Sequence, residues 1–325
     1  MAQPWNLGYP AAMSTLAARN NLTGIAALVL GIFVFSVQDT IIKSISGTHA
    51  VTLAIFLRSI VSFPILLAMV HWETGLKAML TPKAPLLLSR GLILFCAYIL
   101  YYIAMPALPL AEAIALFFMA PLLVTVLSGP MLGEKVTATA WVAVVLGLIG
   151  VFVILQPGTS LFQPAALLSL GSAVAYAYAM VLARQHASGV PTGVMSFYQN
   201  ISYLIVSPLI GLTLMAVQPE TPSHPSLAFF MRPWAWPPSF DLMLMAACGV
   251  IAAIAATLLT HAYRKGEANI VTPFEYTGML WGAVWGFLLF DEMPKWTTLI
   301  GMALISAAGL LALHAGARSS NRTKS

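Results

Sequence analysis

The chain has 325 residues, of which 60% are hydrophobic and only 8% charged, with a formal net charge of +5. Soluble domains carry about 25% charged residues, so this composition excludes a soluble enzyme, and it excludes intrinsic disorder as well. What fits is a protein that crosses a bilayer several times.

Ten apolar segments follow in chain order, at 22–45, 50–70, 85–105, 110–128, 136–155, 165–184, 194–216, 241–262, 270–290 and 297–314. A spanning helix needs about 20 mostly apolar residues. Long uninterrupted runs such as Ala138–Leu155 exclude a transmembrane barrel, whose strands are short and alternate. The expected fold is therefore all-α, with ten transmembrane helices. The first segment ends on Asp39 and Lys43, too long and too polar for a cleaved signal peptide, and is read as a retained span. Residues 1–21 and 315–325 are read as tails. Pro85 and Pro294 are placed at helix starts, where a missing N–H costs nothing.

Lys and Arg set the orientation. With the N-terminus inside, eleven fall on the cytoplasmic side: Arg19, Lys77, Lys83, Arg90, Lys135, Arg184, Arg264, Lys265, Arg318, Arg322 and Lys324. Three fall outside (Lys43, Arg232 and Lys295), and Arg58 lies within a span. Both termini are expected in the cytoplasm, in a multi-pass protein of the inner membrane. The basic residues are scattered singly, which excludes nucleic acid as a partner. Cys96 and Cys248 lie in apolar runs and read as packing residues, so neither a disulfide nor a metal site is expected. No G-x-x-x-x-G-K-[ST], H-E-x-x-H or G-x-S-x-G motif occurs, and no cofactor is expected.

The halves repeat. Pro64 and Pro208, in the second and seventh spans, are 144 residues apart. Allowing for a loop about 11 residues longer after the seventh span brings this to the 155 that separates Glu112 from Glu267. The fourth span runs into Leu132-Gly133-Glu134, the ninth into Phe290-Asp291-Glu292. Five spans is an odd number, so residues 22–156 and 164–314 read as inverted repeats. That arrangement is typical of secondary transporters that bind substrate near the midplane.

Ala111-Glu112-Ala113-Ile114-Ala115-Leu116, Pro121 and Leu132-Gly133-Glu134 resemble the first EamA repeat of the drug/metabolite transporter superfamily. Thr272-Pro273-Phe274-Glu275-Tyr276-Thr277, Trp281, Gly286 and Asp291-Glu292 resemble the second, and Phe56-Leu57-Arg58 fits the same family. Asp291 stands where a glycine is common, and Ala143 replaces a frequent glycine. The resemblance implies a ten-helix carrier of small organic metabolites rather than an enzyme. It admits export of amino acids or other metabolites, and uptake of vitamins or cofactor-like solutes such as riboflavin or S-adenosylmethionine.

Charges at membrane depth are functional candidates by default. Asp39 has two partners within reach, Lys43 at i+4 and Arg58 on the next span. Arg58 is either a structural pair or an anion contact. Glu275 and Arg90 lie at matching cytoplasmic depth and suit a gate or a proton-coupled pair, although Arg90 can also snorkel to the headgroups. Glu112 is either a helix-terminus charge or a site residue. Tyr98, Tyr176 and Tyr276 lie away from their helix ends and are expected to line a cavity that suits a ring-bearing solute. The glycines at 278, 282 and 286 are expected to pack against a helix. The proline-rich loop 217–240, with Trp234 and Trp236, is expected to anchor at the outer interface. The implied partners are a small-molecule substrate and the bilayer. An oligomer is compatible with the sequence but not indicated by it. The rival readings are an intramembrane enzyme on lipid-linked substrates, which needs clustered His, Asp or Glu, and a channel, which needs a polar stripe along a helix; the sequence has neither feature.

Overall fold

The computed structural model describes residues 9–134, 136–159, 162–187, 189–220 and 222–322, with side chains for all of these except 9–18, 268–269 and 315–322. Lys135 and Lys324 lie outside the described residues, as do the side chains of Arg318 and Arg322. Among the described residues all regular structure is helical. The helices are α1 (Tyr9–Ile45), α2 (Val51–Glu73), α3 (Ala84–Ala104), α4 (Leu110–Phe117), α5 (Ala120–Leu132), α6 (Ala138–Leu155), α7 (Ala165–His186), α8 (Thr192–Val217), α9 (Pro225–Met231), α10 (Ser239–Lys265), α11 (Ala268–Val271), α12 (Thr277–Phe290) and α13 (Trp296–Arg322). Among the described residues nine segments are long and apolar enough to cross a membrane, with α4 and α5 together forming one of them, Leu110–Leu132. The expected span at 270–290 is not one continuous helix. It is built from α11, a 3₁₀ turn over Thr272–Tyr276, and α12. Pro273 lies in that turn, and a proline cannot supply the N–H that an unbroken α-helix requires there. Helix α1 begins at Tyr9, inside the stretch read as a tail. Pro85 lies at the start of α3, whereas Pro294 precedes α13 by two residues.

Helix-to-helix packing repeats across the halves. The first span packs on the eighth (α1 on α10), and the third on the sixth (α3 on α7). The second packs on the eighth (α2 on α10), and the third on the seventh (α3 on α8). The first packs on the ninth (α1 on α12), and the fourth on the sixth (α5 on α7). Three further pairs map onto themselves: α2 with α8, α4 with α12 and α6 with α13. Exchanging the two halves leaves this list of main pairs unchanged.

Local structure repeats as well. Helix α5 ends at Gly133 (φ 71°) and α12 at Asp291 (φ 55°), both left-handed. The next residue then bonds back six positions: Glu134 N donates to Ser128 O (3.4 Å) and Glu292 N to Gly286 O (2.9 Å). This is the Schellman closure, in which a left-handed residue satisfies the last carbonyls. Aspartate tolerates that conformation better than most residues, which explains how Asp291 stands in for glycine. The fourth span breaks between α4 and α5, at Phe118-Met119, and the same offset of 155 carries Phe118 to Pro273, inside the break of the ninth.

Gly278 and Gly282 of α12 pack as expected, whereas Gly286 faces Glu292 in the turn that follows its own helix. A Cβ at Gly282 would lie 2.6 Å from Ile114 Cδ1, and one at Gly278 would lie 2.8 Å from Phe118 Cζ. The stripe therefore lets α12 close on the fourth span. The loop 217–240 departs from expectation. Trp236 is exposed, but Trp234 turns inward, with Nε1 donating to Thr52 Oγ1 (2.8 Å) and its ring against Phe56 (5.3 Å). Arg232 Nη1 donates to the carbonyls of Ser46 and His49 (3.0 and 2.9 Å). The loop is thus a strap across the ends of α1 and α2. Cys248 is buried and Cys96 exposed, and both are free thiols.

Candidate substrate cavity

A cavity of about 200 Å³ lies where the halves meet. Helix α1 supplies Gln38 and Asp39, α3 supplies Tyr98 and Tyr101, and α7 supplies Ser172 and Tyr176. The break in the fourth span contributes Phe117, Phe118 and Pro121, and the broken ninth span contributes Glu275 and Gly278. Interrupted helices are how transporters expose polar backbone to a solute without exposing it to lipid.

The Asp39 carboxylate accepts a bond from Tyr101 Oη (3.0 Å). It does not pair with Lys43, which is drawn to Glu292 instead, and it makes no ion pair with Arg58 within 4 Å. Arg58 donates from Nη1 to Tyr102 Oη (3.2 Å) and lies over the Tyr98 ring at 5.4 Å. It lies behind the tyrosines and is not part of the cavity lining. Glu275 accepts from the Tyr263 hydroxyl and does not reach Arg90. Arg90 is buried rather than snorkelling, and its Nε has no partner. Tyr98 and Tyr176 line the cavity as expected. Tyr276 does not: its ring stacks on Phe118 (5.5 Å) and its hydroxyl presses against Gly309 of α13, held there by the turn around Pro273.

The ends of the repeats carry ion pairs. Glu292 Oε1 pairs with Lys43 Nζ at 2.5 Å. Its Oε2 accepts from Leu110 N (2.8 Å), and Lys43 also donates to Leu108 O (2.7 Å). Glu292 precedes the start of α13 by four residues. The left-handed turn at Asp291 instead aims it at the N-terminus of α4, whose free N–H groups attract an anion. Glu112 lies beside this cluster, accepting from Thr298 Oγ1 (3.0 Å) with Lys295 3.8 Å away. It joins α4 to α13 and lies outside the cavity lining. The counterpart pair, also between the halves, is Glu134 with Arg184 at 2.7 Å. Lys43 closes the first span and Arg184 the sixth, while Glu292 follows the ninth and Glu134 the fourth. The two pairs are therefore exchange-related counterparts. Their environments differ: the side chains of Lys43 and Glu292 are 8% and 25% exposed, those of Arg184 and Glu134 53% and 46%.

Sequence reasoning missed Gln38, Tyr101 and Ser172. Gln38 is a polar residue beside Asp39 deep in an apolar run, a readable signal. Tyr101 and Ser172 carry no signal apart from their place on the helix.

The chain matches the EamA-like transporter family over residues 22–156 and 163–313. It belongs to the EamA family. Among its relatives, the pseudopaline exporter of Pseudomonas aeruginosa is 29% identical over 287 residues, covering 88% of this chain and 94% of the exporter. An S-adenosylmethionine uptake transporter of Rickettsia prowazekii is 26% identical, covering 93% of this chain and 96% of the relative. A riboflavin transporter of Vibrio cholerae is 28% identical over 63% of each chain. A solved crystal structure aligns with a TM-score of 0.61 at 20% identity, covering 91% of this chain and 97% of its own, which shows a shared fold. The EamA protein is thus a multi-pass membrane transporter that handles a small molecule, not an enzyme.

Proposed function

We propose that this EamA protein is a secondary carrier of the inner membrane that moves a small organic solute by alternating access. The carrying observation is the cavity at the junction of the halves, lined by Asp39, Glu275 and a row of aromatic rings and framed by two exchange-related ion pairs. In this reading residues 22–156 and 164–314 are inverted five-span repeats with both tails in the cytoplasm. Lys43–Glu292 is then the outer latch, and Glu134–Arg184 the inner one. The outer latch is buried and tied to the α4 N-terminus while the inner is solvated, so of the two closed pairs the inner opens more readily. Asp39 and Glu275 contact the solute or its coupling proton; Tyr98 and Tyr176 hold its ring. Arg58, Arg90, Glu112 and Tyr276 support the walls.

Aromatic walls favour a ring-bearing vitamin or cofactor-like solute. Riboflavin and S-adenosylmethionine, named in two relatives, both qualify. Purified protein in liposomes tests the reading: saturable uptake of a candidate solute, stimulated by the same solute on the far side, is expected. Chemical turnover of the solute, or flux that neither saturates nor shows counterflow, would refute it.

A further inference from the structure

The charges that a solute meets inside the cavity are of one sign. Its lining includes two carboxylates, Asp39 and Glu275, and no Lys, Arg or His. Neither carboxylate has an ion-pair partner within 4 Å among the described residues. Each is held by one tyrosine hydroxyl, Tyr101 on Asp39 and Tyr263 on Glu275. Arg58 and Arg90 stay outside the lining, Arg58 bound to Tyr102 and covered by Tyr98.

Two more polar groups point to a ligand. Ser172 and Gln38 are among the lining residues, are buried to 0% and 1% exposure, and their Oγ and Oε1 have no hydrogen-bond partner. Buried polar groups are nearly always satisfied, so these two unsatisfied oxygens at the cavity wall are open to a bond from a solute. Three of these four groups (two carboxylates and an amide oxygen) accept hydrogen bonds without donating. Their natural complement is a donor-rich cation.

Aromatic rings connect the two carboxylates. Tyr101 packs on Phe117 (5.0 Å), Phe117 on Tyr176 (5.3 Å) and Phe117 on Phe118 (6.4 Å). Ring faces attract cations, more strongly where water is excluded.

The geometry points to an organic cation as the solute: a protonated amine on a planar ring system, its ammonium on Asp39 or Glu275 and its ring against the Phe117–Tyr176 pair. This rests on the carrier reading above and narrows its substrate class. It sets an amine-bearing cofactor-like solute ahead of a neutral one.

The test is binding by calorimetry to the purified full-length protein, with tryptamine against indole-3-propionate as probes of matched ring and opposite charge. Tryptamine should bind at least about tenfold tighter. Asp39→Asn and Glu275→Gln should each erase most of that preference while Ser172→Ala weakens tryptamine modestly. Equal affinity, tighter binding of the carboxylate, or no binding of either probe overturns the proposal. A preference that survives both carboxylate substitutions overturns it too. The wild-type comparison needs no variant, so a poorly folding variant does not decide the matter. Because binding is read without flux, tryptamine preference without counterflow would refute the carrier reading and leave the cation site standing. Counterflow of solutes with no charge preference would do the reverse.

Discussion

Breaking the buried latch with Glu292→Gln keeps the side chain's size and leaves an amide oxygen for Leu110 N. It removes the charge opposite Lys43, whose side chain is 8% exposed. Exposed ion pairs contribute about 0–1 kcal/mol, and breaking a fully buried one costs about 3–5 kcal/mol. With one partner buried and the other a quarter exposed, about 2 kcal/mol is the reasonable magnitude, a shift of about thirtyfold in the opening equilibrium. Hydrogen–deuterium exchange reads this directly, since amide exchange follows local opening. The peptide around Leu108–Ala111 should exchange about thirtyfold faster in Glu292→Gln. Glu134→Gln, at a pair half in solvent, should change the peptide around Glu134 by no more than about fivefold, within the range of exposed pairs. Unchanged exchange in Glu292→Gln, or a larger effect from Glu134→Gln, would refute the asymmetry of the latches.

Other outcomes follow from the same contacts. Glu275→Gln and Arg58→Ala should each lower counterflow in liposomes with normal amounts of protein in the membrane; wild-type rates in both would remove these residues from the transport cycle. Gly282→Leu should destabilise the protein by at least about 1–3 kcal/mol, the usual range for overpacking, because even a Cβ there lies 2.6 Å from Ile114; a thermal unfolding scan decides it. Trp234→Ala should cost about 3–5 kcal/mol by emptying a packed site, while Trp236→Ala, 81% exposed, should stay within about 0.5 kcal/mol; equal effects would show that the loop does not strap the helices. Raising salt should weaken Arg184–Glu134 more than Lys43–Glu292, since screening acts chiefly on exposed charges, and exchange in the two peptides again measures it.

The architecture was legible because membrane spans declare themselves by length and hydropathy, and because the acids at 134 and 292 keep their place in both halves. Pairing was less legible. Asp39 and Lys43 stand at i,i+4, yet the structure separates them, because Glu292 arrives from 249 residues away on the turn that Asp291 sets. Arg90 and Glu275 share a depth, but depth does not fix the direction in which a side chain points around its helix. Tyr276 sits well inside its span in sequence, and only the 3₁₀ turn at Pro273 sends its ring to Gly309. Tyr101 and Tyr102 are neighbours that face different partners, Asp39 and Arg58, a difference of helix phase that one sequence does not resolve.

In the alternating-access reading proposed above, the exchange symmetry of the helix contacts means that each half displays the shape its counterpart takes when the carrier has turned over. Threading residues 22–156 onto the backbone of 164–314, and the reverse, therefore writes the coordinates of the opposite state. In that repeat-swapped form Glu134 should reach the N-terminus of the ninth span while Arg184 sinks from solvent, and Glu292 and Lys43 should become the wetted pair. A spectroscopic distance measured across both latches, with and without solute, has its two endpoints already given by a single chain.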